Sequence, residues 1–256
     1  ASFEPIATIP VRHVPPCVPC PDAPAADRAR FGLAADSFVF LLAFDVASIP
    51  ERKNPFAAIE AFRRMVPRAG RPVSLLIKIS RANQNPELVA RLSAAAKGLP
   101  IRFHTAAATR AEMDSLVAMC DANLSVHRSE GLGLLPIEFL YLGKPVVATG
   151  YGGVTDFLDE TTGYVIDFEL IHLDQDHPPY PRGAVWADPS IDHAAEQMLA
   201  VLGDSDEAAR RGAAGRERIE SIYGVRAAAA RYRAEIERIE ALLPNHRARP
   251  DRHGAR

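Results

Sequence analysis

Three things are scarce in this sequence, and each absence narrows what it can be. Cysteine is the first, with three among 256 residues. Cys17 and Cys20, in PPCVPCP, have the CxxC spacing of a zinc half-site or a redox pair. No second Cys or His pair completes a tetrahedral zinc site, and no helix can start in that proline-rich run, so both read as ordinary residues. Cys120, at the end of a helical pattern, reads as a small core residue. An excess of one charge is the second absence. Lys and Arg number 30 against 32 Asp and Glu, a net charge of −2, so the broad basic footprint of a nucleic-acid-binding protein is missing and any anion site must be local. Long apolar runs are the third. No stretch of about eighteen apolar residues occurs, and ASFEPIATIP lacks the basic-then-apolar layout of a signal peptide. A cytoplasmic protein with no evident membrane association is the expectation.

What is present is an apolar fraction of 48%, enough for a well-buried core, arranged as alternating strands and helices. Residues 1–30 are rich in proline and read as a linker. FVFLLAF (38–44) then opens the core as a buried strand. Asn54 and Pro55 form an N-cap and first-turn pair for a helix with apolar Phe56, Ile59, Phe62 and Met65 at helical spacing. The unit repeats with strand VSLLIKI (73–79), a helix opened by Asn85-Pro86 and ending near Gly98, and strand IRFHT (101–105). Thr109 and Glu112 make a capping box for a helix through Met119. Strands ANLSVH (122–127), PVVATG (145–150) and GYVI (163–166) follow. Their apolar runs, in place of strict alternation, predict a doubly wound parallel α/β sheet, Rossmann-like and covered on both faces. Residues 171–189 read as loop, and helices run from Ile191 to about residue 243. The nucleotide-binding domain is thus expected over 31–243, with a frayed basic tail over 244–256.

The segment SEGLGLLPIEFLYLGKPVVATGYGG (129–153) carries the chemistry. Glu130 directly follows a strand, at the carboxyl end where such sheets place ligands. Gly131 and Gly133 let the backbone approach a ligand closely, and Pro136 marks the first turn of a helix. The N–H groups and positive dipole end of that helix would receive phosphate oxygens. Glu138, read as lying in the same first turn, can accept hydrogen bonds from a pair of hydroxyls such as those of a ribose.

Glu130, seven intervening residues and Glu138, followed by GKPVVATGYGG, resemble the signature of the retaining family 4 glycosyltransferases. The resemblance spans residues 39–223, including ERKNPFAAIEAF, and implies the C-terminal, donor-binding half of a GT-B fold. It implies transfer of a hexose from a nucleotide diphosphate sugar to a saccharide, lipid or other acceptor, with retention of configuration and without a metal or other cofactor. By this resemblance Glu130 contacts the donor sugar, the amides of Gly131, Leu132, Gly133 and Leu134 the diphosphate, Glu138 the ribose, and Thr105 to Ala107 the nucleobase. Lys53 matches the lysine that neutralises the diphosphate, with Arg52 beside it. Relatives carry a Gly-Arg pair after the first strand where this sequence has Phe44 and Asp45, leaving Arg52 or Arg128 to replace the missing cation. The acceptor-binding N-terminal domain is not in this sequence, which implies a domain taken from a longer protein. The alternative is a degenerate, non-catalytic nucleotide-sugar-binding or protein-interaction module.

Several residues read as structural. Lys78, at a strand end, faces either the cleft or solvent, with solvent the commoner place for such a charge, and His127 reads at least as well as a hydrogen-bonded structural histidine as a catalytic one. Asp174 and Asp176 spell the DxD of metal-dependent glycosyltransferases, but in a late, proline-rich loop. GYGG is not a dinucleotide fingerprint, because the first strand leads into DVASIP with no glycine.

Overall fold

A computed structural model describes residues 11–22 and 24–242. Each apolar run becomes a strand of one sheet: β1 (Phe38–Asp45), β2 (Val73–Ser80), β3 (Ile101–His104), β4 (Ala122–Ser125), β5 (Val146–Thr149) and β6 (Tyr164–Ile166). They pair in parallel, in the order β3-β2-β1-β4-β5-β6. Between them lie α1 (Pro50–Lys53), α2 (Pro55–Met65), α3 (Pro86–Ala95), α4 (Arg110–Met119) and α5 (Leu134–Tyr141); α6 (Ile191–Gly203), α7 (Ser205–Tyr223) and α8 (Val225–Leu242) follow.

Side chains of both parities on the central strand are buried. Phe40 and Leu42 join a core with Ala58 and Phe62 of α2 and Met198 of α6, and the intervening Val39 and Leu41 are buried too. A strand buried on both faces needs apolar residues at successive positions, which is why β1 reads as a run and not as an alternation. The fold is a doubly wound, Rossmann-like α/β sheet. Its strand order reverses between β1 and β4, and ligands of such sheets bind outside the carboxyl ends at that reversal.

Residues 20–219 form one compact unit. The other joins residues 11–19 to 220–242, with the Val18 amide donating to the Tyr223 carbonyl at 3.0 Å and Arg12 paired with Glu235 at 2.8 Å. The basic tail of 244–256 lies outside the described residues.

Several local expectations are realised in detail. The Thr109–Glu112 capping box forms completely, and the Asn85 side chain caps α3 through the Leu88 amide. Others are corrected. Asn54 makes no side-chain cap; it sits at φ 54°, ψ 50°, a left-handed hinge between α1 and α2, a conformation Asn tolerates better than most residues. The stretch read as loop over 171–189 belongs to an antiparallel hairpin, β7 (Phe168–His172) and β8 (Val185–Pro189). β7 is largely exposed and β8 buries Trp186, Ala187 and Pro189 within a five-residue strand, so the pair carries no apolar run like those of the main sheet. Lys78 is not solvated. It is 1% exposed, its Nζ donating to the Ala106 carbonyl at 2.9 Å.

Candidate functional site

Two loops meet at the reversal. The one after β1 turns through Ile49, whose φ of 54° is strained for a β-branched residue, into α1. The one after β4 carries Ser129 and Glu130. The Arg128 amide donates to the Arg52 carbonyl at 2.8 Å, and the Arg52 guanidinium donates to the Ser129 carbonyl at 2.8 Å. These bonds hold the two loops in fixed relation, so the cation pair and the carboxylate meet by construction of the fold.

A cavity of 360 Å³ opens there, with Arg52, Lys53, Lys78, Glu130, Gly133 and Leu134 on its walls. Lys53 Nζ hydrogen-bonds Glu130 Oε2, Arg52 stands 4.0 Å from Oε1, and the Gly133 amide reaches Oε1 at 3.3 Å. Burial pushes the Glu130 carboxyl up, but the Lys53 charge and hydrogen bond, with Arg52, more than offset it and hold it below the usual carboxylate value. Glu130 is therefore an ionised group in a cationic pocket. Gly133 caps α5 at φ 83°, a left-handed position that glycine adopts without strain, and this starts the helix at Leu134, earlier than Pro136 suggests. Glu138 consequently falls beyond the first turn, a correction to its expected place. Its carboxylate accepts from Arg110 at 2.6 Å, and Arg110 also pairs with Asp114. Burial raises the Glu138 carboxyl, and Arg110 offsets this only in part.

The structure thus gathers Arg52, Lys53, Glu130, Leu132, Gly133 and Leu134 around one cavity. Gly131 lines an adjoining one. Glu138 and the exposed Thr105 stand off both linings. Arg128 points elsewhere, its Nε donating to Asp188 at 2.9 Å, whereas Arg52 lines the cavity. Asp45, where that cation is expected, is taken up by Arg81 at 2.6 Å. His127 is buried between Ser125 Oγ and the Tyr151 carbonyl, each at 2.9 Å; burial lowers its pKa, consistent with a neutral structural role. Asp176 accepts from the Arg182 amide at 2.6 Å, and no cluster of three metal-ligating side chains occurs among the described residues.

Three contributors carried little signal in the sequence. Lys78 supplies a third cation, its pKa lowered by burial, with Asp45 opposing. Arg110 meets Glu138 only through the fold. Gly152 and Gly153, set aside as no dinucleotide fingerprint, brace the Glu130 loop, with the Gly153 amide donating to the Glu130 carbonyl at 2.8 Å.

Residues 40–218 match the model of the family described as glycosyl transferases group 1. The chain belongs to that family. No curated protein matches it. Among solved structures, this group 1 glycosyl transferase resembles sucrose-phosphate synthase from Thermosynechococcus elongatus, at 18% identity and a TM-score of 0.65 over 90% of this chain and 53% of that one. It resembles Anabaena HepE in complex with UDP, at 16% identity and TM-score 0.62 over 82% of this chain and 51% of the other. A C-terminal domain of a group 1 glycosyl transferase from Francisella tularensis is matched at 17% identity and TM-score 0.56, over 79% of this chain and 96% of that domain. These likenesses concern the fold. The chain spans about half the length of the first two proteins, and no helix among the described residues is long and apolar enough to cross a membrane.

Proposed function

We propose that this chain is the donor-binding half of a retaining, family 4 glycosyltransferase of the cytoplasm. It takes a hexose from a nucleotide diphosphate sugar and passes it, with an N-terminal acceptor-binding domain, to a saccharide, lipid or other acceptor. The observation that carries the reading is the Lys53–Glu130 pair beside the N-terminus of α5, at the carboxyl ends of β1 and β4. Cations and helix amides there suit a diphosphate leaving group, whose charge they stabilise as it departs. With Arg52, Lys53 and Lys78 around the cavity, the reading requires no metal. A stripe of exposed apolar residues on α8, Val225, Tyr232, Ile236 and Ile239, suits cover by the further domain.

Within this reading Glu130 meets the sugar, the amides from Gly131 to Leu134 the diphosphate, Glu138 the ribose, and the backbone near Thr105 the base. The test is thermal denaturation with GDP, UDP, ADP, dTDP and their sugars, with and without EDTA, since a ligand of the native state raises its stability by mass action. HepE is described with UDP and with UDP-glucose, which makes that pair the first to try. A shift for one nucleotide, indifferent to EDTA, supports the proposal. A shift abolished by EDTA contradicts its metal-independent part, and no shift with any of them counts against it.

The two glutamates separate by ligand. Glu138→Ala is expected to weaken free nucleotide about tenfold or more, the worth of hydrogen bonds to a charged group. Glu130→Ala spares free nucleotide and weakens the nucleotide sugar. Equal losses of both ligands in both variants would contradict the division. Because burial keeps the Glu138 pKa raised, nucleotide affinity should fall on acidification above the usual carboxylate range. Arg110 favours the ionised form, so Arg110→Ala should move that fall to higher pH. Affinity–pH curves that superimpose for wild type and variant would refute this.

The missing strand-end cation, replaced by Asp45, favours a second reading as a non-catalytic module. Donor binding without turnover in the full-length protein would support it.

A further inference from the structure

Beside the main cavity lies a second, of 520 Å³, that shares Ser48, Arg52 and Glu130 with it. Its far wall comes from neither of the loops that make the main site. Pro178, Pro179 and Tyr180, at the tip of the β7–β8 hairpin, form it. The tip is firmly held. The His177 amide donates to the Tyr180 carbonyl at 2.8 Å and the Tyr180 amide returns to the His177 carbonyl at 2.7 Å. The Tyr180 ring stands edge-on to buried Trp186 at 5.3 Å.

The hairpin is also tied to the loop that bears Glu130. The Ala187 amide donates to the Arg128 carbonyl at 2.9 Å, Arg128 pairs with Asp188, and the Ser129 and Tyr180 hydroxyls lie 3.4 Å apart. A displacement of the hairpin is therefore felt at Glu130. Proline and tyrosine present flat, low-entropy apolar surface, the kind that packs against the C–H face of a pyranose, while the carboxylate and guanidinium opposite suit its hydroxyls. The hairpin tip supplies every proline and aromatic side chain on the lining of this cavity, and Ile49 adds an aliphatic one from the loop after β1.

We infer that the hairpin tip is the sugar-selecting wall of the site: the donor's hexose, projecting past the diphosphate at Glu130, packs against Pro178, Pro179 and Tyr180. This rests on the donor-binding reading above and adds to it the element that decides which sugar is accepted. Being held from both ends, the tip is preorganised, so its contacts are made without ordering a loose loop.

Calorimetric titration of this chain with UDP and UDP-glucose, and with GDP and GDP-mannose, separates the two layers. The readout is the ratio of nucleotide-sugar affinity to free-nucleotide affinity. Tyr180→Ala is expected to lower that ratio roughly three- to tenfold, the range of one aromatic packing contact, with free-nucleotide affinity unchanged as the control for folding. Tyr180→Phe keeps the ring and should keep the ratio. A ratio unmoved in Tyr180→Ala, or an equal loss of free nucleotide, would overturn the inference while leaving the donor site standing. Failure of wild type to bind any of UDP, GDP, ADP and dTDP would overturn both.

Discussion

Lys53→Met is expected to weaken nucleoside diphosphate binding about ten- to a hundredfold and to lower turnover of the full-length enzyme about a hundred- to a thousandfold. On the proposed reading, the binding loss reflects one charge-assisted contact to the diphosphate removed. The larger loss of turnover follows because charge on the leaving group grows in the transition state, where a cation in a partly dry pocket counts most. The substitution also strips Glu130 of its closest cation. Glu130 is 12% exposed and keeps only Arg52, at 4.0 Å, as a charged partner. Leaving a largely buried carboxylate without its ion pair costs about 1–3 kcal/mol here, less than for a fully buried pair because Lys53 is itself 20% exposed.

The pH dependence of that cost has a definite sign. A carboxyl held below its unfolded value stabilises the fold above that value, and the contribution is lost as pH falls through the folded one. The stability gap between wild type and Lys53→Met, measured by denaturant unfolding, should therefore be largest at neutral pH and close in acid. Adding Glu130→Gln to Lys53→Met should recover stability and leave binding impaired. A double variant that recovers both would show the lysine to be structural.

Gly153→Ala has the second large effect. A Cβ there would lie 2.1 Å from the Gly131 carbonyl oxygen and 3.0 Å from the Leu132 Cα. Neither is the flexible end of a side chain, so backbone must move, at a cost of about 1–3 kcal/mol as for other overpacked sites. The segment that moves is the one whose amides are proposed to receive the diphosphate, and on that reading donor affinity should fall by an order of magnitude or more in protein that remains folded. Near-ultraviolet circular dichroism checks the folding, and titration with the nucleotide checks the site. Full affinity in a folded Gly153→Ala protein would mean that the loop is not where the donor binds.

The sheet was legible because its strands are buried on both faces, which writes apolar runs such as FVFLLAF into the chain. The capping box was legible because both its members lie within one helical turn. What was not legible depends on distant partners. The Arg110–Glu138 pair closes 28 residues of chain. Lys78 looks like a strand-end charge until the Ala106 carbonyl is placed over it. Pro136 suggests a later start for α5 than the left-handed backbone of Gly133 gives it, so Glu138 lies further into the helix than its spacing from Pro136 implies. The hairpin strands pair through their backbones over a proline-rich connection, a pattern that reads as loop.

The central claim is that a nucleoside diphosphate binds between Lys53 and the N-terminus of α5. A crystal structure of this chain soaked with the nucleotide that stabilises it tests this most directly. Phosphate oxygens are expected within hydrogen-bond distance of Lys53 and of the amides from Gly131 to Leu134, with the ribose turned toward Glu138. Nucleotide seated away from the β1–β4 reversal, with the Lys53–Glu130 pair undisturbed, would contradict it.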